Sequence, residues 1–176
     1  MPADERGGFF FTGIVADPFL QGALFAVGFD RYLHAGEVPV LFRSLDAGRT
    51  WRRWRDGVQA FAFDPAQADT VYTVEPYFDV YRRRASNAGG RRLGTISPRD
   101  LPSALLVDRR DPQTLLVATA GHGVLVSHDS ARHWSPFAPG LPLAGKDPLT
   151  ALEQDRTNPR RFFAAPTTGG LWRLDL

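Results

Sequence analysis

Two short stretches gather side chains able to act on a polar ligand. "FDRYLHAGE", residues 29–37, offers Asp30, Arg31, Tyr32, His34 and Glu37, and "EPYFD", residues 75–79, offers Glu75, Tyr77 and Asp79. Carboxylates beside Tyr or Arg suit glycoside hydrolysis, in which one acid protonates the leaving group and a second acts as nucleophile or base. The same residue types also populate ordinary solvated loops. These eight residues are the candidate ligand contacts. No catalytic residue is assigned, because no glycine-rich phosphate loop, P-loop or nucleophile elbow accompanies them.

Metal and cofactor chemistry find less support. His122, His128 and His133 fall within twelve residues, but no carboxylate-histidine spacing suggests zinc, and the chain has no Cys. No metal and no cofactor is expected. The basic runs "RRWR" (52–55), "RRR" (82–84) and "RR" (91–92) fit outer strands whose charges discourage edge-to-edge association, with an acidic partner as the alternative.

A third constellation repeats. "SLDAGRTW" (44–51) and "SHDSARHW" (127–134) share Ser44, Asp46 and Trp51 with Ser127, Asp129 and Trp134, while Gly48 of the first becomes Ala131 in the second. The physical reading is a turn lock. A short acceptor satisfies backbone N–H groups that a tight turn leaves unpaired, Gly supplies positive φ, and Trp covers the turn. Ala131 accepts that backbone less readily, so a looser turn is expected there.

The elements that position these residues are legible as a repeat. Alternating apolar runs end at Asp17, Asp64, Asp108 and Asp155, at intervals of 47, 44 and 47 residues. A second apolar run opens seven positions after each Asp, at Leu24, Val71, Leu115 and Phe162, and a third follows each second run. Turn residues separate them. Each unit therefore reads as four short strands in about 44 residues, the blade of a β-propeller.

The octapeptide "SLDAGRTW" matches every fixed position of Ser-x-Asp-x-Gly-x-x-Trp and resembles the Asp-box, or bacterial neuraminidase repeat. "FDPAQADTVYTV" (63–74) is similar to a strand pair of propellers in sortilin-type receptors, xyloglucanases and photosystem II assembly factors. "RRRASNAGGRRL" (82–93) is a decayed box. The resemblance implies an all-β propeller of four Asp-box-type, four-stranded blades, at residues 12–57, 58–101, 102–148 and 149–176, forming a small ring or half of a larger one. The fourth blade ends after its third strand. Residues 6–11, with Phe9, Phe10 and Phe11, either supply the missing strand or extend the first inner strand.

No sialidase Arg-Ile-Pro signature occurs, and the chain is too short for the two propellers of a xyloglucanase. The expected function is a non-catalytic recognition or assembly module that binds a protein or glycan through its loops. The alternative is a glycan-active enzyme or a fragment of one. A homodimer completing the ring is a further expectation, since an open half-ring would expose apolar faces on both terminal blades. Nucleic acid is not an expected partner: 21 Lys and Arg against 19 Asp and Glu leave a net charge of only +2. No 18-residue apolar run suggests a membrane span. The resemblance favours an exported or cell-surface protein, although "MPADERGG" lacks the pattern of a signal peptide.

Overall fold

The protein, seen here in a computed structural model, is described over residues 9–30, 39–97, 99–137 and 149–175. Four antiparallel sheets follow one another along the chain as the blades of a β-propeller. Blade 1 holds β1 (Phe9–Ala16), β2 (Leu24–Asp30), β3 (Pro39–Ser44) and β4 (Arg52–Asp56). Blade 2 holds β5 (Ala60–Phe63), β6 (Thr70–Glu75), β7 (Asp79–Arg84) and β8 (Gly90–Thr95). Blade 3 holds β9 (Pro102–Val107), β10 (Leu115–Thr119), β11 (Val124–Ser127) and β12 (Ser135–Pro136). Blade 4 has three strands, β13 (Leu149–Gln154), β14 (Arg161–Pro166) and β15 (Trp172–Asp175). Among the described residues, no helix is long and apolar enough to cross a membrane.

The recurrent Asp explains how each blade begins. Asp17, Asp64, Asp108 and Asp155 each accept a hydrogen bond from the backbone N–H two residues on, at Phe19, Ala66, Arg110 and Thr157, over 2.8–2.9 Å. The backbone N–H of each Asp bonds in turn to the carbonyl six residues later, at Ala23, Thr70, Thr114 and Arg161. This side-chain clamp closes the turn and delivers the chain into the second strand. It places Leu24, Val71, Leu115 and Phe162 at equivalent positions.

Apolar faces then stack blade on blade. Phe25 and Leu41 of blade 1 meet Val58, Val71 and Ala85, with Phe61 and Phe63 packed alongside. Tyr72, Val74 and Val80 meet Leu105, Val107, Leu115 and Val117. Leu106, Leu116 and Val126 meet Leu152, Phe162 and Leu174. No such cluster joins blade 4 to blade 1 among the described residues. Inner strands of all four blades border one space of about 460 Å3 that includes Val15, Phe61, Leu105 and Leu152.

One alternative is decided and one expectation corrected. Phe9, Phe10 and Phe11 pair with Asp30, Phe29 and Gly28, so they extend β1 and do not complete blade 4; residues 6–8 lie outside the described residues. The two end faces are also unlike. Beyond blade 1, Ile14 and Phe11 stand exposed over Phe42, the Phe11 and Phe42 rings meeting edge to face at 5.6 Å. On blade 4 the corresponding face carries Glu153, Arg173 and Asp175 beside Phe163, Ala151 and Ala165, with Arg161 and Arg173 paired to Asp175. The blade 4 end is the more polar, because charged side chains occupy there the sites that Leu106 and Val126 occupy on blade 3.

Candidate functional site

The turns between second and third strands and the links between blades project from one end of the propeller. Here lie 76–78, 96–97, 99–101, 120–123 and 167–171. Asp100 ties two of them together. Its carboxylate accepts the N–H groups of Gly121 at 2.6 Å and His122 at 2.9 Å, and His122 Nδ1 lies 2.9 Å from the same oxygen. Burial would raise the Asp100 pKa, but these hydrogen bonds, with His122 foremost, bring it below the ordinary value.

The β6–β7 connection is the most constrained of these loops. Glu75 and Asp79 are register partners, with Pro76, Tyr77 and Phe78 between them in a single 3-10 turn. Tyr77 at φ 67 and Phe78 at φ 64 both adopt left-handed backbone, a conformation that is costly for bulky residues and is held only by surrounding structure. That structure is visible. A Cβ on Gly57 would lie 2.9 Å from Pro76 Cδ, so the blade link packs against the proline, and Phe78 O accepts the Ile96 N–H at 2.9 Å. Tyr77 is thereby held outward and is 79% exposed.

Two candidate acids of this end, Glu75 and Asp79, are already engaged. Glu75, expected in a loop, is only 3% exposed and accepts Arg83 NH2 at 2.7 Å, Arg55 NH2 at 2.9 Å and Thr73 Oγ1 at 2.8 Å. Burial pushes its pKa up, and the bonds from Arg83, Thr73 and Arg55 outweigh burial and hold it below the usual range. Asp79 accepts Thr95 Oγ1 at 2.6 Å and Arg92 NH2 at 2.9 Å, and Arg92 foremost lowers its pKa. A general acid must hold a proton near neutral pH and a general base must have a free lone pair. Glu75 is ionised with both oxygens taken by Arg and Thr donors, and Asp79 is ionised and paired with Arg92, so both stand here in ion pairs.

Of the other candidates, Asp30 ends β2, and Arg31, Tyr32, His34 and Glu37 lie outside the described residues. Of Glu75, Tyr77 and Asp79, Tyr77 is the one presented to solvent. Sequence reasoning did not single out its companions at this end, Leu101 and Leu171, which are 61% and 65% exposed. The available signal was an apolar residue beside Pro or Gly in a loop. The three histidines do not converge: His128 meets Thr114 and His133 meets Asp129, while His122 meets Asp100.

The box residues lie at the opposite end, between third and fourth strands. Ser44 Oγ donates to Asp46 Oδ1 at 2.7 Å and accepts the Gly48 N–H at 2.9 Å, while Asp46 Oδ1 accepts the Thr50 N–H at 2.8 Å. Ser127, Asp129 and the Ala131 N–H repeat this pattern, with 2.9 Å for the Ser–Asp bond and 2.9 Å for the Ala131 bond. The expected loosening at Ala131 is absent: Ala131 takes φ 69 where Gly48 takes φ 87. One difference survives. Trp51 Nε1 donates to Gly48 O at 3.1 Å, whereas the buried Trp134 Nε1 has no acceptor among the described residues.

No protein-family model matches this chain, and no curated protein matches its sequence. Solved structures do share its fold. YCF48 bound to a D1 peptide superposes with a TM-score of 0.57 at 14% identity, over 99% of this chain and 53% of that one. An ancestral GH74 enzyme superposes with a TM-score of 0.56 at 11% identity, over 93% of this chain and 25% of that one. The chain thus spans about half of the first structure and a quarter of the second. At such identities the likeness is one of fold.

Proposed function

We propose that this propeller is a non-catalytic recognition module that binds a segment of a protein partner across the end bearing Tyr77, Leu101 and Leu171. The observation that carries this reading is Tyr77 itself, 79% exposed on a strained turn. An aromatic ring held out on rigid backbone loses little conformational freedom on binding and makes an effective anchor. Leu101 and Leu171 add apolar area, and the acids nearby are engaged by Arg and His side chains. The peptide-bound YCF48 structure supports a protein ligand over a sugar by analogy of fold.

A peptide array followed by titration of the best binder tests this, with a polysaccharide panel in parallel read for binding and hydrolysis. Tyr77→Gly removes the ring while suiting the left-handed backbone, so the fold is retained and the melting temperature holds or rises. Peptide affinity is expected to fall roughly thirtyfold, from loss of about 2 kcal/mol. Turnover of a polysaccharide, or peptide binding indifferent to Tyr77→Gly, would overturn the proposal.

A further inference from the structure

At the end away from Tyr77, blades 2 and 3 part to leave a cleft of about 600 Å3, bordered by Gln67, Tyr72, Arg82, Arg91, Gln113 and Ser130. Arg82 and Arg91 are direct register partners across β7 and β8. Like charges placed opposite each other on one face destabilise a sheet unless an anion sits between them. The strands are close here: a Cβ on Gly90 would fall 2.2 Å from Arg82 O, so the residue preceding Arg91 has no room for a side chain.

Several guanidinium groups of the chain meet carboxylates. Arg83 meets Glu75, Arg92 meets Asp79, Arg110 meets Asp108 and Arg161 meets Asp155. Neither Arg82 nor Arg91 has a carboxylate partner among the described residues. Arg82 donates instead to Gln67 Oε1, which leaves the amide's own N–H groups as further donors. Asp64, the acid of the cleft, is turned to the N–H groups of Ala66 at 2.9 Å and Gln67 at 3.0 Å. The Tyr72 hydroxyl is directed at Asp64 Oδ2 and Pro112 O, at 3.5 Å each, which turns that carboxylate toward the phenol. The rest of the lining is two guanidinium groups without a carboxylate partner, the Gln67 and Gln113 amides and the Ser130 hydroxyl, a set suited to a planar-fork grip on oxyanions.

We propose that the cleft between blades 2 and 3 binds a tetrahedral oxyanion, a phosphate or sulfate monoester, between the guanidinium groups of Arg82 and Arg91. The site is separate from the Tyr77 end, so its success or failure is independent of the peptide reading.

The test is titration of the full chain with inorganic phosphate, inorganic sulfate and chloride at matched ionic strength, followed by thermal unfolding and calorimetry. Phosphate and sulfate are expected to raise the melting temperature where chloride does not. Arg82→Gln and Arg91→Gln should each weaken oxyanion affinity roughly tenfold or more, while Arg156→Gln on blade 4 leaves it unchanged. Phosphoserine and tyrosine sulfate distinguish the two sources. Phosphomonoester binding should strengthen from about pH 5.5 to 7.5 as the second proton leaves, and sulfate binding should stay flat. Without ligand, Arg91→Gln should unfold no lower than the parent, because it removes a repulsion. The proposal is overturned if chloride protects equally, if either cleft variant binds like the parent, or if Arg91→Gln alone collapses the fold.

Discussion

The outer turns of blades 1 and 3 are locked by a neutral hydroxyl, and the outer turn of blade 2 by a buried charge. Register makes the comparison direct: Ser44 pairs with Leu24, Ser127 with Leu115, and Arg83 with Val71, three equivalent positions. Ser44 and Ser127 satisfy backbone donors within four residues. Arg83, 6% exposed, bonds the Ala88 carbonyl of its own turn at 3.1 Å and reaches Glu75 toward the other end of the sheet. Arg55 of blade 1 closes on the same carboxylate. A local hydroxyl lock can fail alone, whereas the ion-pair lock ties together a turn, a sheet and the seam between two blades. Its failure is therefore more costly.

Glu75→Ala breaks the comparison most severely. It strands the Arg83 guanidinium in a buried site and is expected to cost about 3–5 kcal/mol, read as a fall in the urea midpoint with the slope unchanged. Pairing it with Arg83→Met sharpens the point, since an apolar pair of similar volume should restore much of the loss. If the double variant is as unstable as Glu75→Ala, the lock is a matter of packing and not of charge.

Ser44→Ala and Ser127→Ala should each cost about 1–2 kcal/mol, because each leaves a backbone donor of its turn unmet. Ser127→Ala should cost the more, since the Ala131 N–H is buried where the Gly48 N–H is only partly so. Ala131→Gly is the counterpart on the same turn: at φ 69 it should stabilise by about 1 kcal/mol, provided the strain exceeds the entropy gained by the unfolded chain. Equal unfolding curves for Ala131→Gly and the parent would show that the strain relieved only matches the entropy the unfolded chain gains.

These locks also separate what sequence shows from what it hides. Asp17, Asp64, Asp108 and Asp155 were legible because their bonds are local, two and three residues along, and the strands between them follow from period-two patterning. Ser44 and Asp46 were legible for the same reason. Glu75 looked like a ligand contact because its partners come from the third strand of its own hairpin and from the previous blade, and no spacing rule brings Arg55 to it. Tyr77 was legible as a loop aromatic, but its exposure depends on Gly57 packing against Pro76, a contact between blades. The cleft holding Arg82 and Arg91 was visible only as two basic runs until register set them face to face.

The smallest effect is a matter of pH. Asp46 is held down from 3.8 to about 2, foremost by the Thr50 hydroxyl, then by the Thr50 N–H and Ser44. Asp129 lies lower still, foremost through the His133 backbone and ring. A carboxylate whose folded pKa is depressed stabilises fully above its unfolded value and loses that contribution as pH falls through the folded one. The box turns should therefore hold unchanged down to about pH 4 and weaken between about pH 4 and 2. Asp46→Asn should lie below the parent in melting temperature at pH 6, and the gap should narrow across that window. Because the carboxylate is well solvated, the gap should be small and shrink with added salt. A gap that stays constant from pH 6 to pH 2 would mean that Asp46 holds its turn by shape, as the neutral Ser44 does, and the distinction between hydroxyl and charge would then be confined to blade 2.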